Sequence, residues 1–311
     1  MKLIDLLRNR NFILISALGI GMLWGKGARW TEPATLPALA IVMTFSTMGV
    51  PGNVFRSFRG LLRPLMIGIV MNYFILGIVL LFLNAILIHD EALRFGFILI
   101  AAVPPAVAVI PFTYFLKGDE TLSLIGTAGA YLGALIIMPL SAFLFFGPGF
   151  IDPMKLVVIM LELILLPLIA SRLLLKIGLA SRLDSIKGPI TNWSFFLLTY
   201  TIVGLNRDLI LNQPLSLSPV VIIALLSTFL LGWGIEKIGA LLHVPQKILT
   251  SLVLLGTLKN YGLAGGLALA LFSKKTSVPA TVSAVFMIVY IIWLEFRIRK
   301  NLSPLTLPSH P

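Results

Sequence analysis

The chain has 311 residues, 58% of them hydrophobic and 12% charged, with a mean hydropathy of +1.02. This composition excludes a soluble globular domain and predicts a polytopic membrane protein, because about 25–30 residues per span and connection leave room for about ten spans and little else. The net charge of +12 would suggest nucleic acid in a soluble chain, but here the basic residues occupy short loops between apolar runs and read as topology signals, so no nucleic-acid partner is expected.

Residues Met1 to Arg10 are too polar for a signal peptide. A short apolar run, Asn11 to Trp24, is followed by a Lys26–Arg29 loop and a second run ending near Val50. After Arg56, Arg59 and Arg63 comes a third run, Leu65 to Ile88, whose amides Asn72 and Asn84 want partners inside a bundle. The fourth, Phe95 to Leu116, contains Pro104, Pro105 and Pro111. An adjacent proline pair inside a helix removes backbone donors, so a break is expected there. Lys117-Gly118-Asp119-Glu120 ends this segment, and Leu122 to Phe146, carrying Thr127, makes the fifth. The turn from Pro148 to Pro153 divides the chain into halves, 1–150 and 151–311.

Span six, Met154 to Leu175, carries Glu162, and Arg172 to Lys187 reads as a basic amphipathic stretch along the membrane surface. Span seven runs from Ile190 to Leu211, with Asn192 and Asn206, and span eight from Leu217 to Leu242. The ninth, Leu249 to Phe272, holds Lys259 and Asn260 near its middle among Gly256, Gly262, Gly265 and Gly266. An ammonium at that depth costs at least about 2.5–3.5 kcal/mol on insertion scales, so Lys259 should face protein or a water-filled cavity, at an unwound crossing point. Val278 to Phe296 is the tenth.

Alternating these spans puts 16 basic residues on the side of the termini and 7 opposite, leaving Lys259 in the membrane. Both termini of this integral cell or inner membrane protein are therefore expected in the cytoplasm. A shift of 156 positions lays Pro104 on Asn260, so the interrupted span is the fourth of each half. With five spans per half the repeat is inverted, and paired broken helices point to a binding site at the midplane.

Two stretches resemble the bile acid:sodium symporter family, related in architecture to auxin-efflux-type and arsenite carriers. They are Ala101 to Asp119, with Pro104-Pro105, Thr113-Tyr114 and Lys117-Gly118-Asp119, and Lys259-Asn260-Tyr261-Gly262-Leu263-Ala264. The resemblance implies ten helices in a panel and a core domain, the core around 65–146 and 217–296. It also implies that helices four and nine cross at their breaks, and that organic-anion uptake is coupled to sodium. The departures matter as much. The family's sodium-binding Ser-Asn pair falls on Val109 and Ile110, its glutamate on Leu255 and its glutamine on Lys259, while Thr127 keeps a ligand type. A hard cation needs oxygen ligands, so Lys259 is expected to replace sodium as a tethered cation.

The expected protein is thus an all-α, ten-helix secondary transporter of a small or amphipathic organic anion in the lipid bilayer. It works by alternating access without sodium, coupled to protons through Lys259 and Glu162 or not coupled at all. The alternatives are a sodium-coupled symporter and a non-transporting membrane sensor. Candidate substrate or ion-binding residues are Lys259, Asn260, Tyr261, Gly262, Pro104, Pro105, Thr113, Thr127, Glu162 and Asn72. No enzyme motif, cofactor or metal constellation is expected.

Overall fold

The computed structural model describes residues 10–48, 58–106, 108–146, 158, 166–212 and 214–302. Their regular structure is helical, with one isolated antiparallel bridge. In chain order we number α1 (Arg10–Leu23), α2 (Thr35–Met48), α3 (58–87), α4 (Glu91–Ala102), α5 (Val109–Phe115), α6 (Glu120–Phe146) and α7 (Leu166–Lys176). Then follow α8 (Ala180–Leu205), α9 (Arg207–Asn212), α10 (218–241), α11 (Gln246–Thr257), α12 (Tyr261–Leu271) and α13 (Val278–Leu302). Among the described residues, four continuous helices are long and apolar enough to cross a membrane: Leu61–Leu87, Glu120–Phe145, Pro214–Leu241 and Lys275–Arg297. Phe12–Leu23 and Tyr261–Leu271 are shorter apolar helices.

The helices fall into two groups that share one hydrophobic core. In the smaller, α8 lies along α1 and α2, and α7 along α2. In the larger, α3 packs on α6, α11 on α6, α10 and the middle of α3, and α13 on α10, α12 and α4. The groups meet where α12 and α13 touch α8 and α12 touches α2.

Both α3 and α10 contain a π-helical stretch, Val70–Gly77 and Leu226–Leu230. A widened turn inside an α-helix re-aims the side chains it carries, and the first of these holds Asn72 and Tyr73 buried.

Helix α4 ends at Ala102 because Pro104 forces Val103 into an extended conformation, φ −69° and ψ 155°. Helix α11 ends without a proline, with Leu258 likewise extended at φ −109° and ψ 117°. The two extended segments lie antiparallel across one another. The Asn260 N–H donates to the Pro104 carbonyl at 2.9 Å, the Ala106 N–H to the Leu258 carbonyl at 3.2 Å, and Pro105 bridges Lys259. Each break thereby satisfies backbone groups of the other.

The basic stretch from Arg172 to Lys187 departs from expectation. It is not one surface helix: Arg172 and Lys176 close α7, whereas Arg182 and Lys187 open α8. Between them Gly178 takes φ +74°, with bonds from Leu179 N–H to Leu174 O and from Gly178 N–H to Leu175 O, a left-handed stop that charge periodicity does not encode. Span seven also begins ten residues earlier than expected, at Ala180, and is interrupted at Asn206.

Candidate functional site

Lys259 is fully buried, and its ammonium meets oxygen in three directions. Nζ donates to Asn72 Oδ1 at 2.7 Å, to the Ala101 carbonyl at 2.8 Å and to the Val103 carbonyl at 2.9 Å, and it lies 4.6 Å from the centre of the Tyr73 ring. All three ammonium protons are matched by acceptors. The local sequence explains why the carbonyls are free. In an α-helix the Ala101 carbonyl would accept from the N–H of residue 105, and residue 105 is proline. The open carbonyls also mark the negative end of the α4 dipole, where a cation is favoured.

Asn260 begins α12 as its N-cap, its Oδ1 accepting from the Leu263 N–H at 3.0 Å. Its amide Nδ2 donates to the Tyr131 hydroxyl at 3.1 Å and to Met43 Sδ at 3.4 Å, tying the crossing to α6 and α2. Tyr73 in turn donates to the Ala130 carbonyl at 2.8 Å.

A cavity of about 200 Å³ lies beside the crossing, between the two helix groups. Ala106, Lys259, Asn260, Tyr261 and Gly262 line it from the crossing, Thr191, Asn192, Phe195 and Thr199 from α8, and Thr281 and Ala284 from α13. The acceptors around the ammonium, Asn72, Ala101 and Val103, are not among the lining residues. Lys259 therefore borders the cavity while its charge is bonded into the larger helix group.

The structure brings Lys259, Asn260, Pro104, Pro105 and Asn72 together at the crossing, with Tyr261 and Gly262 at the cavity wall. Thr113 is elsewhere: its hydroxyl is hydrogen-bonded to the Val109 carbonyl and to Ser123 Oγ, both at 2.7 Å. Thr127 is buried with no hydrogen-bond partner for its Oγ1, outside the cavity lining. Glu162 lies outside the described residues, and the three acceptors of the ammonium are uncharged. Sequence reasoning did not single out Tyr73, Tyr131, Met43 or the carbonyls of Ala101 and Val103. The signal for Ala101 was present in the proline pair, read four residues back.

Two of the positions on which the resemblance lays the family's sodium ligands carry aliphatic side chains, which offer no oxygen to a hard cation. Val109 and Leu255 are both fully buried in the apolar core. The oxygens that do converge are bonded to the ammonium.

Comparison with known proteins identifies the family. The Sodium Bile acid symporter family matches residues 36–213. A protein of Bacillus subtilis described as an uncharacterized sodium-dependent transporter is 27% identical over 266 residues, covering 83% of this chain and 80% of its own. A probable chloroplastic sodium/metabolite cotransporter of Arabidopsis thaliana is 24% identical over 271 residues, covering 86% of this chain and 67% of its own.

Proposed function

The chain belongs to the Sodium Bile acid symporter family, and from that premise we propose that it is a secondary transporter in which the Lys259 ammonium stands where a coupling cation would otherwise sit. It is an integral membrane protein of a transporter family, not an enzyme. The observation that carries the proposal is the cage of three oxygens, Asn72 Oδ1 and the carbonyls of Ala101 and Val103, closed around one buried Nζ. A bound sodium ion would have to displace that amine.

The cargo is a small or amphipathic organic anion, a class taken from the family. The cavity is built mainly of apolar groups with hydroxyl and amide groups at the crossing and on α8 and α13, which suits a ligand with one polar end. Because the ammonium is engaged by protein oxygens, the anion is held by neutral donors and not by contact with the lysine charge. Helices α1, α2, α7 and α8 form the panel and the larger group the core. The matching π-stretches of α3 and α10, and the equal twelve-residue lengths of α4 and α11, support two five-helix repeats of opposite orientation, 1–150 and 151–311, with both termini cytoplasmic. Transport is either proton-coupled through Lys259 and Glu162 or uncoupled.

The printed descriptions of the relatives favour the second reading, sodium-coupled symport. Proteoliposome flux separates the two. Anions chosen because they raise the melting temperature of the purified protein are offered with sodium, with N-methylglucamine, and with an imposed pH gradient. The proposal expects equal uptake with and without sodium, and an absolute sodium requirement would overturn it.

A further inference from the structure

On one side of the cavity, two glycines of α12 pack tightly against residues of the neighbouring helices. Residues 24–35, Asn206 and Ser277 share one end of the bundle, opposite Arg10, Met48 and Ala180; we call it the far end. Ile202 and Ala280 line the cavity toward that end, and Gly265 of α12 lies against both. A Cβ on Gly265 would stand 2.7 Å from Ile202 Cδ1 and 3.5 Å from the Ala280 Cβ. A Cβ on Gly266 would stand 2.9 Å from Leu39 Cδ2 on α2. Only hydrogen fits at these two positions without displacing the neighbours. One turn further out, Asn206 Nδ2 donates to Ser277 Oγ at 3.3 Å, joining the end of α8 to the start of α13. Panel and core are therefore pressed together between the cavity and the far end. Leu14, Thr191 and Ile288 carry the cavity lining toward the side of Arg10.

We propose that the Gly265–Gly266 seam against Ile202, Ala280 and Leu39, latched by Asn206 and Ser277, is the gate that closes the substrate cavity at the far end. It must part for the cavity to be served from that side. The inference rests on the transporter reading but is tested separately from it. Two glycines let the side-chain tips of Ile202 on α8 and Leu39 on α2 pack directly against the α12 backbone. One hydrogen bond holds the outer edge, so the seam closes tightly and opens at small cost.

The chain has no cysteine, so Ala284→Cys, in the cavity wall, supplies a single reporter thiol. A membrane-impermeant sulfonated maleimide is applied to either face of sealed vesicles. With the reporter alone, labelling is faster from the near face. Gly265→Leu or Gly266→Leu, which wedge the seam, raise the far-face rate about tenfold relative to the near-face rate. Gly188→Leu, at a position with nothing within 4 Å of its Cβ, leaves both rates unchanged. Where a wedge variant does not fold, Asn206→Leu with Ser277→Ala moves the ratio in the same direction by a smaller factor. Faster far-face labelling of the starting protein, or a ratio unmoved by wedge and latch variants alike, overturns the proposal. Failure of flux with the gate result intact would instead overturn the transporter reading.

Discussion

Replacing Lys259 by alanine and by methionine tests the resident-cation idea directly, because one substitution leaves room for an ion and the other fills it. Three charge-assisted hydrogen bonds are lost, at about 1.5–3 kcal/mol each, together with a buried cation–π contact of about 2 kcal/mol. Against this stands the cost of holding a desolvated ammonium, several kcal/mol. The net loss expected for either variant in sodium-free buffer is about 2–4 kcal/mol, which at about 2 °C per kcal/mol lowers the melting temperature by about 4–8 °C. In the alanine variant, Asn72 Oδ1 and the two carbonyls surround an opening the size of the lost side chain. Sodium at about one hundred times its dissociation constant should return about 2.7 kcal/mol. The methionine variant has no such opening and should not respond. The assay is thermal unfolding of the purified protein in detergent, in sodium chloride against N-methylglucamine chloride at equal ionic strength. Stabilisation of the unmodified protein by sodium, or an alanine variant as stable without sodium as its parent, would refute the reasoning.

Asn72→Leu removes one acceptor of the ammonium and should cost about 2–3 kcal/mol in melting experiments, more than Asn84→Leu, whose amide donates to a single carbonyl. Tyr261→Phe should leave stability within about 1 kcal/mol, since its buried hydroxyl has no protein partner, while weakening binding of stabilising anions about tenfold. Equal affinity would show that this hydroxyl does not meet the substrate. Glu162→Gln should abolish any pH dependence of flux while preserving folding, and an unchanged pH profile rejects Glu162 as a proton carrier. Asp90, at the far end, is raised by partial burial but brought below its ordinary value by hydrogen bonds from Lys275 and the Leu93 N–H and by the Lys275 charge. A carboxyl depressed in this way contributes stability above its unfolded pKa and loses it as pH falls through the folded value. The melting-temperature gap between the parent and Asp90→Ala should therefore hold from neutral pH down to about 5 and close below about 4.

The sequence made the crossing legible because each break left a chemical mark. Pro104-Pro105 cannot continue a helix, and an ammonium at Lys259 has no reason to sit in lipid. Neither mark said what the ammonium touches. Two of its partners are backbone carbonyls, which carry no letter, and the third, Asn72, is aimed by a π-turn whose extra residue leaves the apolar pattern unbroken. Thr113 looked like a ligand and satisfies its own helix instead, the usual behaviour of a threonine facing an i−4 carbonyl. The stop at Gly178 was hidden for the opposite reason: charge pattern dominated the reading of 172–187, and a single left-handed residue overrides it.

The mutual pairing of the two breaks also bears on how the protein is made. The Pro104 carbonyl and the Ala106 N–H are satisfied by Asn260 and Leu258, residues the ribosome reaches about 150 positions later. At about 5–20 residues per second, the first half waits roughly 8–30 s with these two backbone groups open. During that interval it depends on water in the insertion machinery, or on a chaperoning helix, to cover what the second half will cover for good. Severing the chain at residue 150 and supplying the halves separately should therefore leave the N-terminal fragment short-lived until its counterpart arrives.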